Sequence, residues 1–169
     1  MFKMFYPDGY FNSSYDIDYK KEYENGIRGV LFDIDNTLVE HNQDATEKSD
    51  KFLAQLQEMG LKVCLISNKQ KDRVDRFNKN AKVNAIYNAH KPSRKSYMKA
   101  MELMGTDKES TLFVGDQLFT DVYGAKRTGI KSYMVKQIAK HEEIQIVFKR
   151  KLEKIVLRSY FKKNASKGV

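Results

Sequence analysis

Two aspartates stand two residues apart in "GVLFDIDNTL", residues 29–38: Asp33 and Asp35, directly after four apolar or neutral residues. A third, Asp116, ends the apolar run "TLFVGD", and Ser67 ends "LKVCLIS". Carboxylates brought this close repel unless a cation or a proton lies between them. A hard divalent ion answers that need, and Mg²⁺ in particular takes a few carboxylate oxygens plus water and a substrate phosphate. Such an ion can orient a phosphoryl group and offset charge on its oxygens. A carboxylate in line with phosphorus can attack it and form an acyl phosphate. An acid two residues on can protonate the leaving oxygen and later activate water. The transferring oxygens then need donors, and Ser67, Asn68 and Lys91 offer a hydroxyl, N–H groups and a positive charge.

Two other readings compete for the same residues. A calcium loop of the EF-hand kind needs Gly at its sixth position and Glu at its twelfth. Leu38 and Asp44 stand there, and an apolar strand rather than a helix precedes the loop. The other alternative makes the aspartates ordinary turn residues.

The elements that would carry these residues follow from periodicity. "RGVLFDI", "LKVCLIS", "VNAIYN", "TLFVGD" and "KSYMV" read as five strands, the long apolar ones buried on both faces. Between them lie helical patterns. Phe52, Leu53, Leu56 and Met59 share one face, with a stop at Gly60; Val74 and Phe77 mark a weaker helix. Tyr97, Ala100, Met101 and Met104 share a third face that ends at Gly105, and "DVYGAKRTG" is a short helix. The segment 141–162 carries Ile144, Phe148, Leu152 and Ile155 on one helical stripe. Alternating strands and helices predict an α/β fold, a Rossmann-like three-layer sandwich with a mostly parallel sheet. Ligands of such sheets bind at the carboxyl ends of the strands, where Asp33, Ser67 and Asp116 would meet. The expected organisation is an N-terminal arm over 1–27 packed on the core, a core over 28–136, and a basic amphipathic helix and tail over 137–169.

The 169 residues are 41% apolar and 31% charged. This composition suits one globular domain rather than a disordered chain. One cysteine, Cys64, permits no disulfide within the chain and suggests a reducing compartment. No run approaches the roughly 20 apolar residues of a membrane span, and no signal-peptide pattern opens the sequence. A soluble, cytoplasmic protein is expected. The net charge of +9 favours an anionic partner, and residues 136–169 hold ten Lys/Arg against three Asp/Glu.

The motif series resembles the haloacid dehalogenase (HAD) superfamily of phosphatases. DxDxT stands as Asp33-Ile34-Asp35-Asn36-Thr37, the strand-ending Ser as Ser67, the Lys as Lys91, and GDxxxTD as Gly115-Asp116 with Thr120-Asp121. The match covers about 28–135. The resemblance implies an aspartyl-phosphate mechanism with Asp33 as nucleophile and Asp35 as general acid/base. It implies Mg²⁺ on the Asp33 side chain, the Asp35 backbone carbonyl and Asp116. Thr37, Ser67, Asn68 and Lys91 would hold the phosphoryl group, with Asp121 supporting Lys91 or the metal waters. Only 29 residues lie between Thr37 and Ser67, and only 23 between Ser67 and Lys91. The cap domain of many HAD enzymes has no room in either gap, so the site is expected to be capless and open.

A finer resemblance, to the YqeG-type group of subfamily IIIA, rests on "YPDGYFNSSYDID", "GDQLFTDV" and the basic "FKRKLEKIVLRSYFKK". Eukaryotic relatives of that group act on phosphatidylglycerophosphate, which implies an anionic phospholipid substrate and peripheral contact with the inner membrane face. The alternatives are a nucleotide, a sugar phosphate or a phosphoprotein as substrate, or a non-catalytic RNA- or ribosome-binding protein on the same scaffold. A full set of Asp33, Asp35, Ser67, Lys91 and Asp116 argues against the last.

Residues outside the motifs have plainer readings. Cys64 reads as a core thiol. His41 lies in the loop after the first motif, near substrate on the open-site reading. His90 makes local contacts, His141 starts a helix, and Met98, Met101 and Met104 pack. The basic tail reads as a solvated helix packed on the domain, as a helix on an anionic membrane, or as an RNA-binding element that no recognised motif supports.

Overall fold

Continuous apolar runs form the centre of one parallel sheet, because a strand covered on both faces has no polar side to show. The computed structural model describes residues 2–139 and 144–165, the side chains of 144–148 excepted. Its strands are β1 (Gly9–Phe11), β2 (Gly29–Phe32), β3 (Lys62–Ile66), β4 (Asn84–Ile86), β5 (Thr111–Gly115) and β6 (Lys131–Val135). They run in the order β1-β6-β5-β2-β3-β4, and every pairing is parallel. The helices are α1 (Tyr19–Glu24), α2 (Glu47–Glu58), α3 (Lys71–Phe77), α4 (Arg94–Met104), α5 (Tyr123–Thr128) and α6 (Ile144–Ala165), with a π-helical turn over Leu118–Val122.

Side-chain alternation along each strand divides the core into two layers. Val30, Phe32, Leu65 and Val114 pack with Leu53 and Leu56 of α2, Val74 and Phe77 of α3, and Tyr19 of α1. Leu31, Cys64, Ile66 and Phe113 face the other way, onto Tyr97, Ala100, Met101 and Met104 of α4 and Ala125 of α5. Each such buried side chain contributes about 1.5–3 kcal/mol relative to exposure. The result is the expected three-layer sandwich, and no domain interrupts the chain between β2 and α4. Helix α4 stops at Gly105, whose φ of 66° is one a glycine adopts without strain.

Four details differ from the sequence reading. β1 is a strand within the segment expected only as an N-terminal arm, and it pairs with β6 through Gly9–Tyr133 and Phe11–Val135. Its three residues are too few for periodicity to register. Met59 and Met98 lie outside the core, at 37% and 54% exposure. Met59 sits past the end of α2, and Met98 points away from the packed face of α4.

The largest difference is in α6. Its packed face carries Glu153, Val156 and Tyr160, whereas Leu152 and Ile155 are 44% and 56% exposed. At 100° per residue the centres of these two sets lie only about 100° apart, on neighbouring faces of the helix. Val156 joins Leu118, Val122 and Met134, with Phe5, Tyr6 and Tyr10 of the N-terminal segment packed against that cluster. Tyr6 and Ser159 hydroxyls meet at 2.8 Å. His141 and the side chains of Ile144 and Phe148 lie outside the described residues.

Candidate active site

The sheet reverses its winding between β2 and β5: β3 and β4 extend it on one side, β6 and β1 on the other. Such a switch point opens a crevice at the carboxyl ends of the strands. Phe32 pairs with Val114, so the next residues of both strands leave the sheet side by side. The Asp33 amide still donates to the Val114 carbonyl at 3.0 Å. Asp33 and Asp116 thus reach the crevice from adjacent strands.

Asp33, Asp116 and Asp121 offer carboxylate oxygens within 4.8 Å of one another, and all three residues are buried. Two cations reach them. Lys91 Nζ donates to Asp33 Oδ1 at 2.6 Å and to Asp121 Oδ1 at 2.7 Å. Arg150, from α6, donates through Nη2 to Asp116 Oδ2 and through Nη1 to the Asp116 carbonyl, the latter at 2.6 Å. Arg150 also donates to Glu153 Oε2 at 2.9 Å, and Glu153 Oε1 accepts the Leu118 amide at 2.8 Å. The remaining oxygens of two carboxylates face each other. Thr37 Oγ1 lies 3.5 Å from Asp33 Oδ2 and 3.4 Å from Asp116 Oδ1. Asp121 Oδ2 accepts the Gln117 amide, so both its oxygens are committed.

The site is packed to its limit at Gly115. A Cβ there would fall on the Asp121 carboxylate, 2.7 Å from its Cγ. Burial pushes the Asp33 carboxyl up to about 7, with Lys91 opposing and Asp121 and Asp35 adding to it. Burial likewise pushes Asp116 well up, against Arg150. Burial alone would lower the Lys91 ammonium, but the Asp121 and Asp33 carboxylates outweigh it and hold its pKa above the ordinary value.

The other predicted site residues divide into two groups. Ser67 and Asn68 line the same small cavity as Asp33, Asp35, His41 and Lys91. The Asn68 amide is spent on Lys91, accepting its N–H at 2.7 Å and donating to its carbonyl at 3.3 Å. It therefore fixes the loop that carries the ammonium. Thr37 is buried and sits between carboxylates rather than in the cavity lining. The Asp35 side chain stands apart from the three-carboxylate cluster. Its Oδ1 accepts Arg73 Nη2 at 3.0 Å and the Asn42 amide at 2.6 Å. Its buried Oδ2 has no hydrogen-bond partner among the described residues.

Four contributors were not foreseen. Arg73 carries no motif, and Arg150 was one cation among ten in the tail. Ser14 and Tyr15 of the N-terminal segment donate to the Thr37 and Leu38 carbonyls at 2.8 and 2.6 Å, bracing the loop after the first motif. The Arg150–Glu153 spacing of three residues is the one sequence signal available, since it places both on one helical face.

The arrangement can hold a hard cation on Asp33 Oδ2 and Asp116 Oδ1. Their all-oxygen, doubly anionic donor pair is of the kind Mg²⁺ takes while keeping its waters.

Comparison with known proteins agrees with this geometry. The family model described as haloacid dehalogenase-like hydrolase matches residues 40–135. That span includes Ser67, Lys91, Asp116 and Asp121 but neither Asp33 nor Arg150. Probable phosphatase YqeG of Bacillus subtilis is 33% identical over 162 residues, covering 95% of this chain and 94% of that protein. Glyceraldehyde 3-phosphate phosphatase of Pyrococcus abyssi is 30% identical over 95 residues, 51% of this chain and 40% of that protein. Among solved structures, a HAD phosphatase from Thermococcus onnurineus superposes with a TM-score of 0.53 at 15% identity, covering 70% of this chain and 90% of that one. An uncharacterised protein from Corynebacterium glutamicum gives 0.54 at 19% identity, covering 78% and 93%.

Proposed function

The chain belongs to the haloacid dehalogenase-like hydrolase family, and from that membership we propose that it is a Mg²⁺-dependent phosphomonoesterase working through an aspartyl phosphate on Asp33. The observation that carries the reading is the convergence of Asp33 and Asp116 at the sheet's switch point, with Lys91 bound to Asp33 and Asp35 beside it.

An Asp33 carboxylate oxygen attacks phosphorus, and the ester P–O bond breaks. The departing alkoxide takes a proton from Asp35. We assign that proton to Oδ2, the oxygen that Arg73 and Asn42 leave unbonded. Water then attacks the acyl phosphate and passes a proton to Asp35. Inorganic phosphate leaves and the Asp33 carboxylate returns. Lys91 and Ser67 hold the phosphoryl oxygens, while Asp121 and Asn68 fix Lys91 in place. Mg²⁺, when bound by Asp33 and Asp116, offsets negative charge on the phosphoryl group.

The preferred substrate is phosphatidylglycerophosphate at the membrane surface. Its support is the similarity to YqeG, the open site, and the outer face of α6. There Leu152 and Ile155 are exposed between lysines and arginines, the pattern of a helix lying on an anionic interface. No helix among the described residues is long and apolar enough to cross a membrane. The name of the Pyrococcus relative, which matches over about half of this chain, favours a second reading, a small phosphate ester.

Phosphate release, measured with and without Mg²⁺, tests the proposal. The panel holds phosphatidylglycerophosphate in mixed micelles, sugar phosphates, nucleotides and an aryl phosphate, alongside Asp33→Asn. Metal-dependent release that the variant abolishes is expected. Release that survives in Asp33→Asn would overturn the mechanism, and a sugar phosphate turned over better than the lipid would overturn the substrate.

A further inference from the structure

The cavity at the reacting centre is small, about 70 Å³, enough for a phosphoryl group and little more. A far larger open groove, about 490 Å³, lies between β6 and α6. Asp116 and Arg150 line this groove, and the Asp116 carboxylate is the one that clusters with Asp33. The segment that leaves the groove at Lys136 then runs to Ile138 and Ala139, whose amides donate to Asn36 in the lining of the reacting centre. Asp116 and the 136–139 segment thus link the groove to the reacting centre.

We propose that the groove binds the non-reacting part of the substrate: a second anionic phosphate-ester group followed by the start of an apolar chain. The inference rests on the phosphatase reading of the reacting centre. Lys136, Lys151 and Lys154 line the groove and are exposed, and none has an ion pair among the described residues. The acids in the same wall are already matched: Asp116 to Arg150, and Glu153 to Arg150 and the Leu118 amide. The groove is therefore cationic. Between the lysines it offers Tyr10 and Leu157, with Met134 and Val135 beneath, an apolar strip that a simple anion does not need. A charged head with an apolar continuation matches both parts. Fixing the substrate here would supply the orientation that a capless enzyme lacks.

The test uses the full chain and the double variant Lys151→Glu with Lys154→Glu, two exposed positions whose replacement leaves the core packing in place. Three substrates are compared: para-nitrophenyl phosphate, dihexanoyl phosphatidylglycerophosphate below its micellar concentration, and the same head group without acyl chains. In the variant, KM for both two-phosphate compounds is expected to rise at least tenfold more than KM for the aryl phosphate. In the wild type, the acylated compound should have a lower KM than the deacylated one, which separates a lipid from a water-soluble bisphosphate. Equal changes on all three substrates would overturn the proposal. So would a wild type that hydrolyses the aryl phosphate and neither two-phosphate compound, and in that case the phosphatase reading would stand. If nothing is hydrolysed the phosphatase reading itself fails, and calorimetric titration with dihexanoyl phosphatidylglycerol, which has no monoester to cleave, still decides. Binding weakened at least tenfold in the variant supports the groove; no binding to the wild type overturns it.

Discussion

Asp116 is held from two directions, by strand β5 and by helix α6, and the two regions reach it by different physics. β5 is fully buried and paired on both sides, so its end is fixed by core packing and parallel register. Helix α6 has apolar residues on two neighbouring faces, and among the described residues only one is covered. Its placement combines the packing of Val156 and Tyr160 with a few polar contacts: Arg150 on Asp116, Glu153 on the Leu118 amide, and Tyr6 on Ser159. A strand end delivers a functional group as a by-product of the core. A terminal helix must be steered to it, and the steering residues become part of the site.

The sharpest way to break this comparison is at the strand side. Asp33→Asn removes the proposed nucleophile while keeping size and burial. Phosphate release should fall at least about a thousandfold, with little change in melting temperature; a loss under tenfold would detach the chemistry from β2. Next comes the helix side. Arg150→Gln leaves a buried carboxylate without its cation, a kind of loss that costs about 3–5 kcal/mol. It should lower kcat/KM roughly 10–100-fold, as loss of a group supporting a metal ligand does. Arg150→Lys should recover part of this, and calorimetry of Mg²⁺ binding should show affinity falling with it. If Arg150→Gln matched wild type in metal affinity and rate, α6 would be packing alone.

The cation and the proton sharpen the same contrast more gently. The Asp33 carboxyl lies at about 7 in the fold against an ordinary value of 3.8. Its bound proton therefore stabilises the metal-free protein fully below pH 4, and that stability is lost as pH rises through 7. Melting of the metal-free protein should fall between pH 5.5 and pH 8. Mg²⁺ at a hundred times its pH 8 Kd should restore about 2.7 kcal/mol at pH 8, and the same concentration should restore less at pH 5.5. Asp33→Asn should flatten that pH slope. The smallest effect belongs to the outer face of α6. Leu152→Ser with Ile155→Ser should change unfolding free energy by no more than about 0.5 kcal/mol per site, while sedimentation with anionic vesicles should drop. A large loss of stability instead would mean that this face is covered.

The strand side was legible in the sequence because its signals are local. "GVLF" and "TLFVG" announce doubly covered strands, and the residue after each falls at a carboxyl end by geometry alone. Tyr97, Ala100, Met101 and Met104 share a face that periodicity names, and all four are buried. Legibility failed where a short element depends on a distant partner. β1 has three residues and exists through its pairing with β6. In α6 the stripe Leu152 and Ile155 is as apolar as Val156 and Tyr160, so pattern could not say which side would dock. Arg73 carries no signal of its own, and Arg150 only its three-residue spacing from Glu153. Each becomes part of the site only once a fold has carried it across many residues to a carboxylate, Asp116 in one case and Asp35 in the other.

The pairing of β1 with β6 also sets an order of events during synthesis. Gly9–Phe11 leave the ribosome early, yet their partners at Tyr133–Val135 emerge 124 residues later. At about 5–20 residues per second, the first strand to be made waits several seconds or more for its only neighbour in the sheet. Helix α6, which packs over the same N-terminal residues, is later still. The central strands are therefore available to pair before β1 finds β6, and the groove with its Arg150 is completed only after α6 has been made.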